Sequence, residues 1–138
     1  MKKKIYNISL LNNNEKKIFN INNDFFKLFI YNKEEFFNPK IKLFFEKKNK
    51  NNNFIFNFHF IGKIILICDI SNNKFKFKIN KKKKLNIIFS NKKNEDNNNY
   101  LILPFNYKII NISQYIYENI LLMIPLKKID PKIKKIIY

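Results

Sequence analysis

The only histidine, glycine and cysteine of the chain fall together in one stretch, FHFIGKIILICDIS, running from Phe58 to Ser71. A thiol beside an imidazole is a nucleophile beside its general base, and with carboxylates added the same pair becomes a metal site. His59 and Cys68 stand nine residues apart with no orienting third group near them in sequence. His59 also lies between Phe58 and Phe60, which reads as a strand histidine, solvated or partly buried. One thiol and one imidazole close a zinc shell only with at least two carboxylates. The adjacent carboxylates Glu34-Glu35 and Glu95-Asp96 read as solvated turns, and a single glycine leaves no glycine-rich phosphate loop. The expectation is a protein with no catalytic residues, no metal and no cofactor. Gly62 then serves a bend or a close approach of two strands, and Cys68 opens a turn.

Strands must position these residues, because the surrounding period is two. In FIFNFHF, Phe54, Phe56, Phe58 and Phe60 share one face while Asn57 and His59 share the other. In KFKFKI, Phe75, Phe77 and Ile79 alternate with Lys74, Lys76 and Lys78, and KIKLFFEKK sets Ile41, Leu43 and Phe45 inward. Asparagine- and lysine-rich runs at residues 12–14, 47–53, 80–84 and 91–99 read as hairpin loops. Two segments follow a helical pattern. NNDFFKLFIYNKEEFF offers Asn22 or Asn23 as a cap ahead of Phe25, Phe26, Leu28 and Phe29. NISQYIYENILLMIP repeats Ile112, Ile116, Ile120 and Met123 at helical spacing, with Asn111 as cap, Gln114 reaching back to it and Pro125 as the stop. The expected fold is α+β: an antiparallel β meander packed by two helices, the longer one near the C-terminus and running from Asn111 to about Ile124. It forms one domain over residues 1–138, with a basic tail from about residue 127.

Composition bounds the partners. Twenty-eight basic residues against 10 acidic ones give a net charge of +18. Ala, Val, Thr, Arg and Trp are absent while Lys, Asn, Ile, Phe and Tyr abound, a bias that A- and T-rich codons alone would produce. The position of the charge therefore says more than its total. Between Phe36 and Asn94 there are 15 lysines against Glu46 and Asp69, many on alternate strand positions. Without arginine, the surface lacks the planar fork that suits guanine and bidentate phosphate contacts. One cysteine excludes an internal disulfide and fits a reducing compartment, the cytoplasm of a bacterium or an organelle. Neither a signal peptide nor an apolar run of about 18 residues is present, so no membrane partner is expected.

GKIILICDIS, the alternating strand after it and YLILPFNYKIINISQYIYENILLMIPLKK together resemble the YceD family of large ribosomal RNA subunit accumulation proteins. The elements that carry the resemblance are Gly62, Cys68-Asp69, the acidic Glu95-Asp96, Asn111 within Ile110-Asn111-Ile112, and Tyr115-Ile116-Tyr117-Glu118 through Pro125. NNDFFKLF is similar to the start of the family's first helix. The turn departs from the family's C-D-R-C, reading Cys68-Asp69-Ile70-Ser71 without the arginine or the second cysteine, and the tail KKIDPKIKKIIY carries no cysteine. A metal held by that turn is not expected here.

The resemblance implies a non-enzymatic factor for the accumulation of large-subunit rRNA during ribosome assembly, with the rRNA or its precursor as partner and no DNA. The candidate RNA contacts are Lys40, Lys42, Lys74, Lys76, Lys78, Lys81, Lys82, Lys83 and Lys84. They would hold phosphates by counterion release without reading bases. The alternative is a protein-interaction module in which Tyr115, Tyr117 and the basic tail dock a ribosomal protein or assembly factor.

Overall fold

A computed structural model describes residues 5–10, 14–29, 36–50, 53–90 and 100–132. The fold is α+β. Four strands run as an antiparallel meander: β2 (Glu15–Ile21), β3 (Phe36–Lys50), β4 (Asn53–Ile67) and β5 (Lys74–Phe89). A short strand β6 (Tyr100–Leu103) extends this sheet, but parallel to β5, pairing Asn86–Phe89 with Tyr100–Leu103. A separate two-stranded ribbon joins β1 (Asn7–Ser9) to β7 (Ile109–Asn111). The helices are α1 (Asn23–Phe26) and the longer α2 (Ser113–Met123).

Period-two patterning decides which face is covered. Ile41, Leu43, Phe45, Phe54, Phe56, Phe58, Phe60, Ile64, Leu66 and Ile79 project from one side of the meander and are buried. Over them lie Tyr6 and Ile8 from the ribbon side, Phe25 and Phe26 from α1, and Ile116 and Ile120 from α2. Each fully buried Ile or Phe stabilises the fold by about 1.5–3 kcal/mol. The layers interlock through rings. Tyr6 stacks on Phe19 with centroids 5.2 Å apart, Phe29 stacks on Tyr117 at 4.0 Å, and Tyr115 packs on Phe58 at 4.9 Å. The opposite face of the meander carries neither helix.

The caps differ from the sequence expectation in detail. Asn22 caps α1 by accepting from Asp24 N at 3.0 Å, but that helix is a single turn, after which Leu28 and Phe29 fold onto the core outside it. Asn111 Oδ1 accepts from Ser113 N at 2.8 Å, bridging into α2 from one residue before its N-cap, Ile112. Gln114 does not reach back. It donates to Glu118 Oε1 at 2.9 Å, one turn along. Ile124 already has an extended backbone at ψ 124°, as the residue before Pro125 must.

Two expected loops are strand. Asn80 to Lys84 continues β5 and pairs residue by residue with Ile61 back to Asn57. The run looked like a break because four consecutive lysines hide the alternation. The covering layer stops short here, so inward positions 81 and 83 are exposed like outward positions 82 and 84. Lys47 to Lys50 likewise belong to β3, and the turn narrows to Lys50 facing Asn53. The remaining proposed loops and the pairs Glu34-Glu35 and Glu95-Asp96 lie wholly or mostly outside the described residues.

Candidate nucleic-acid interface

Strand register sorts the sequence candidates into two groups. Lys40 and Lys42 of β3 and Lys74, Lys76, Lys78, Lys82 and Lys84 of β5 share the uncovered face, together with Lys16, Lys48 and Lys63. Lys81 and Lys83 project to the other side, opposite Phe60 and Phe58, and Lys83 lines a cleft with Gln114 and Tyr115 of α2. Lysine count could not reveal this division; an unbroken β5 register does.

One row on the uncovered face has unusual electrostatics. Lys40, Lys63 and Lys78 are directly opposite one another on three adjacent strands. Directly opposed residues hold their Cβ atoms about 5 Å apart, where like charges repel and destabilise the pair. Among the described residues the strand carboxylate on this face, Glu46, lies six residues along β3, roughly 20 Å away. It is also already engaged, with Lys16 Nζ at 3.4 Å and Lys48 Nζ at 3.3 Å. Desolvation pushes the Glu46 carboxyl up, but hydrogen bonds and charge from Lys48 and Lys16 outweigh this and hold it below the ordinary range.

A second row is apolar. Ile18, Phe44, His59 and Lys82 align across β2 to β5, and the row next to it carries Ile61. Ile18 is 64% exposed, and Phe44 and Ile61 are each 40% exposed. The His59 ring lies 6.3 Å from Phe44, and its Nε2 shares a 2.7 Å hydrogen bond with Asn80 Oδ1. Farther along, Lys74 Nζ sits 4.9 Å over the Phe37 ring.

Cys68 and His59 are not a pair. His59 faces outward while Cys68 is fully buried at the far end of β4, roughly 30 Å along the strand. Cys68 opens the turn to β5, which closes through Asn72 N donating to Cys68 O at 2.9 Å, with Asn72 in the left-handed region at φ 59°. The same turn holds the segment after α2. Asp69 N donates to Lys128 O at 2.6 Å, Asp69 Oδ2 accepts from Lys128 N at 2.8 Å, and Cys68 Sγ accepts from Asp130 N at 3.4 Å. The start of the basic tail is therefore pinned to the sheet by the Cys68-Asp69 pair, a role sequence reasoning missed. Among the described residues, no three His, Cys, Asp or Glu side chains cluster as metal ligands.

The N–H of Asp130, aided by hydrogen bonds from Ser71, pulls the thiol of Cys68 down from 9.0 to about 7, against the effect of burial. A thiol with a lowered folded-state pKa adds stability above its unfolded pKa, and that stability is lost as pH falls through the folded one. Wild type should therefore gain stability relative to Cys68→Ser between about pH 7 and 9. Paired urea titrations at the two pH values check this; equal gains in both proteins would refute it.

Tyr115 and Tyr117 do not form an outward docking pair. Tyr117 is buried against Phe29 and Phe26, and Tyr115 is half-buried on Phe58. Among the described residues no helix is long and apolar enough to cross a membrane. Compared with protein families, curated proteins and solved structures, the chain matches none.

Proposed function

We propose that this chain is a non-enzymatic, cytoplasmic RNA-binding factor for large-subunit rRNA accumulation, and that it holds precursor rRNA on the uncovered face of the meander. The observation that carries the reading is the row Lys40–Lys63–Lys78. Three like charges set side by side weaken the free fold, and a polyanion relieves them. Lys42 and Lys76 flank the row and widen the track for phosphates. Codon bias can raise the number of lysines; register is what sets three of them side by side across adjacent strands, and among the described residues no carboxylate is ion-paired to any of the three. The link to large-subunit rRNA comes from the motif resemblance around Gly62, Cys68-Asp69 and Tyr115-Ile116-Tyr117-Glu118.

The test compares two triple variants of equal charge. Replacing Lys40, Lys63 and Lys78 with Gln should weaken binding to large-subunit rRNA fragments by on the order of 100-fold at 0.15 M salt, and flatten the log-affinity against log-salt slope by about 2–3. Thermal melting of the same variant should rise, because the repulsion is gone. The comparison variant replaces Lys27, Lys81 and Lys83, which lie off this face, and should lose far less. Equal losses in both would mean a diffuse cationic cloud without a binding face. Unchanged affinity in both would remove the RNA reading. In cells, the protein should sediment with precursor large subunits and be absent from translating ribosomes.

A further inference from the structure

We infer that Phe44 and His59 form a base-stacking platform, so that the RNA held on this face is unpaired. The inference rests on the function proposed above and names the form of RNA that the same face accepts.

Single apolar residues on a solvated sheet face are ordinary, whereas a cluster of them calls for an account. Here the centre of the face, on its two middle strands, carries Phe44 and His59 side by side, with Ile18 and Ile61 beside them. Exposed apolar surface rimmed by polar residues marks an interaction site. The rim here is cationic. Lys16, Lys42, Lys82 and Lys84 surround the aromatic pair together with Glu46, whose carboxylate is already paired to Lys16 and Lys48, and the open depression over Phe44 and His59 measures about 560 Å³.

An apolar centre within a mainly cationic rim is complementary to a ligand that is anionic along one part and apolar along another. A single-stranded nucleic acid offers an anionic backbone to the rim and exposed base faces to the rings. A duplex buries its base faces in its own stack and offers only phosphates, which would leave Phe44 and Ile18 uncovered. An apolar protein surface would cover the rings but leave the rim lysines to be desolvated without counter-charge. His59 is oriented for stacking because Asn80 holds its Nε2 at 2.7 Å. Stacking is tolerant of sequence, since every base has a π-face, and this fits a surface without arginine to read base edges.

The experiment measures affinities of the whole protein for a 12-nucleotide oligoadenylate and for a 12-base-pair RNA duplex, in wild type, Phe44→Leu and His59→Leu. Leucine keeps apolar area at both exposed positions but offers no ring. Loss of one stacked base should weaken binding of the single strand about 5- to 150-fold and leave duplex affinity unchanged. In wild type, 2-aminopurine placed in the single strand should show quenched fluorescence on binding, and the quench should fall in Phe44→Leu. Equal single-strand affinities in all three proteins, or parallel losses on both RNAs, would overturn the platform. If the Lys40, Lys63 and Lys78 variant loses RNA while Phe44→Leu and His59→Leu keep it, the platform fails and the RNA function stands. If wild type binds neither RNA, both fail together, and a protein partner captured through Phe44 would then account for the apolar row.

Discussion

A Gly62→Ala protein is expected to lose roughly 3 kcal/mol of stability or more, a large share of the 5–15 kcal/mol that holds an ordinary domain together. The reason is backbone crowding. A Cβ built on Gly62 would fall on the carbonyl oxygen of Lys40 and within 2.6 Å of Ile41 Cα. Neither atom is the far end of a side chain that can rotate away. The crowding arises where β3 changes register between Phe37 and Lys40, with Asn38 in the left-handed region at φ 48° and Pro39 following. The irregular stretch presses β3 toward β4 at the step that also sets Lys40 against Lys63. Urea midpoints measure the loss, and a Gly62→Ala midpoint equal to wild type would show that β3 can move aside. If the variant folds at all, the RNA binding proposed above should weaken as well, because the row of three lysines depends on that register.

The second large effect is expected at Lys47, whose side chain is fully buried on the inner face of β3. Its Nζ donates to Ser9 O at 2.5 Å, lies 3.7 Å from Glu15 Oε2 and sits 5.3 Å from the Phe54 ring centre. Lys47→Ala should cost about 3–5 kcal/mol, because it opens a cavity and leaves the half-buried Glu15 without this cation. Lys47→Met loses the same contacts with Glu15 and Ser9 but fills the volume, so it should cost about 2 kcal/mol less than Lys47→Ala. Equal losses in the two variants would mean that the ammonium itself, and not the volume, holds β1 to the sheet.

The pH response separates these cases further. Burial pulls the Lys47 ammonium below its ordinary value, with Glu15 opposing the shift. The unfolded chain then binds more protons than the folded one between the two pKa values, so stability rises with pH across that window, up to about 10.4. Lys47→Met should lack this rise. Burial pushes the phenols of Tyr6 and Tyr115 up, so stability tied to them is lost as pH climbs above about 10. Taking the difference between wild type and Lys47→Met removes that shared loss.

Much of the meander was legible because its strands obey one rule. Alternation set Phe54, Phe56, Phe58 and Phe60 inward, and the same parity extended two residues past Phe45 would have set Lys47 inward too. Charge composition worked against that extension, since a run of Lys and Asn looks like a turn whichever way its side chains point. The run at 80–84 failed for a related reason. Alternation is visible only where one face is dry, and both faces of β5 are wet there. The parallel addition of β6 and the ribbon of β1 with β7 depend on partners far apart in sequence, and short apolar runs do not encode their direction or mate. The site divides the same way. Alternate lysines were visible in KFKFKI, whereas the Lys40–Lys63–Lys78 row and the Phe44–His59 pair exist only once register aligns three strands.

The incomplete reach of β6 leaves Lys74 to Leu85 of β5 with a strand partner on one side only among the described residues. The segment from Pro125 to Pro131 lies beside Phe75 to Lys78, but a strand margin without a strand partner is still a template onto which another chain can add and start an aggregate. Seven of the eleven residues from Lys74 to Lys84 are lysine. Two copies meeting there would set ammonium against ammonium along the whole junction, so the run guards the chain against self-templating. That guard is electrostatic and shrinks with the Debye length, from about 10 Å in 0.1 M salt to about 3 Å in 1 M. A polyanion on the uncovered face would neutralise Lys74, Lys76, Lys78, Lys82 and Lys84, while Lys81 and Lys83, turned to the other side, keep the margin charged when the face is occupied.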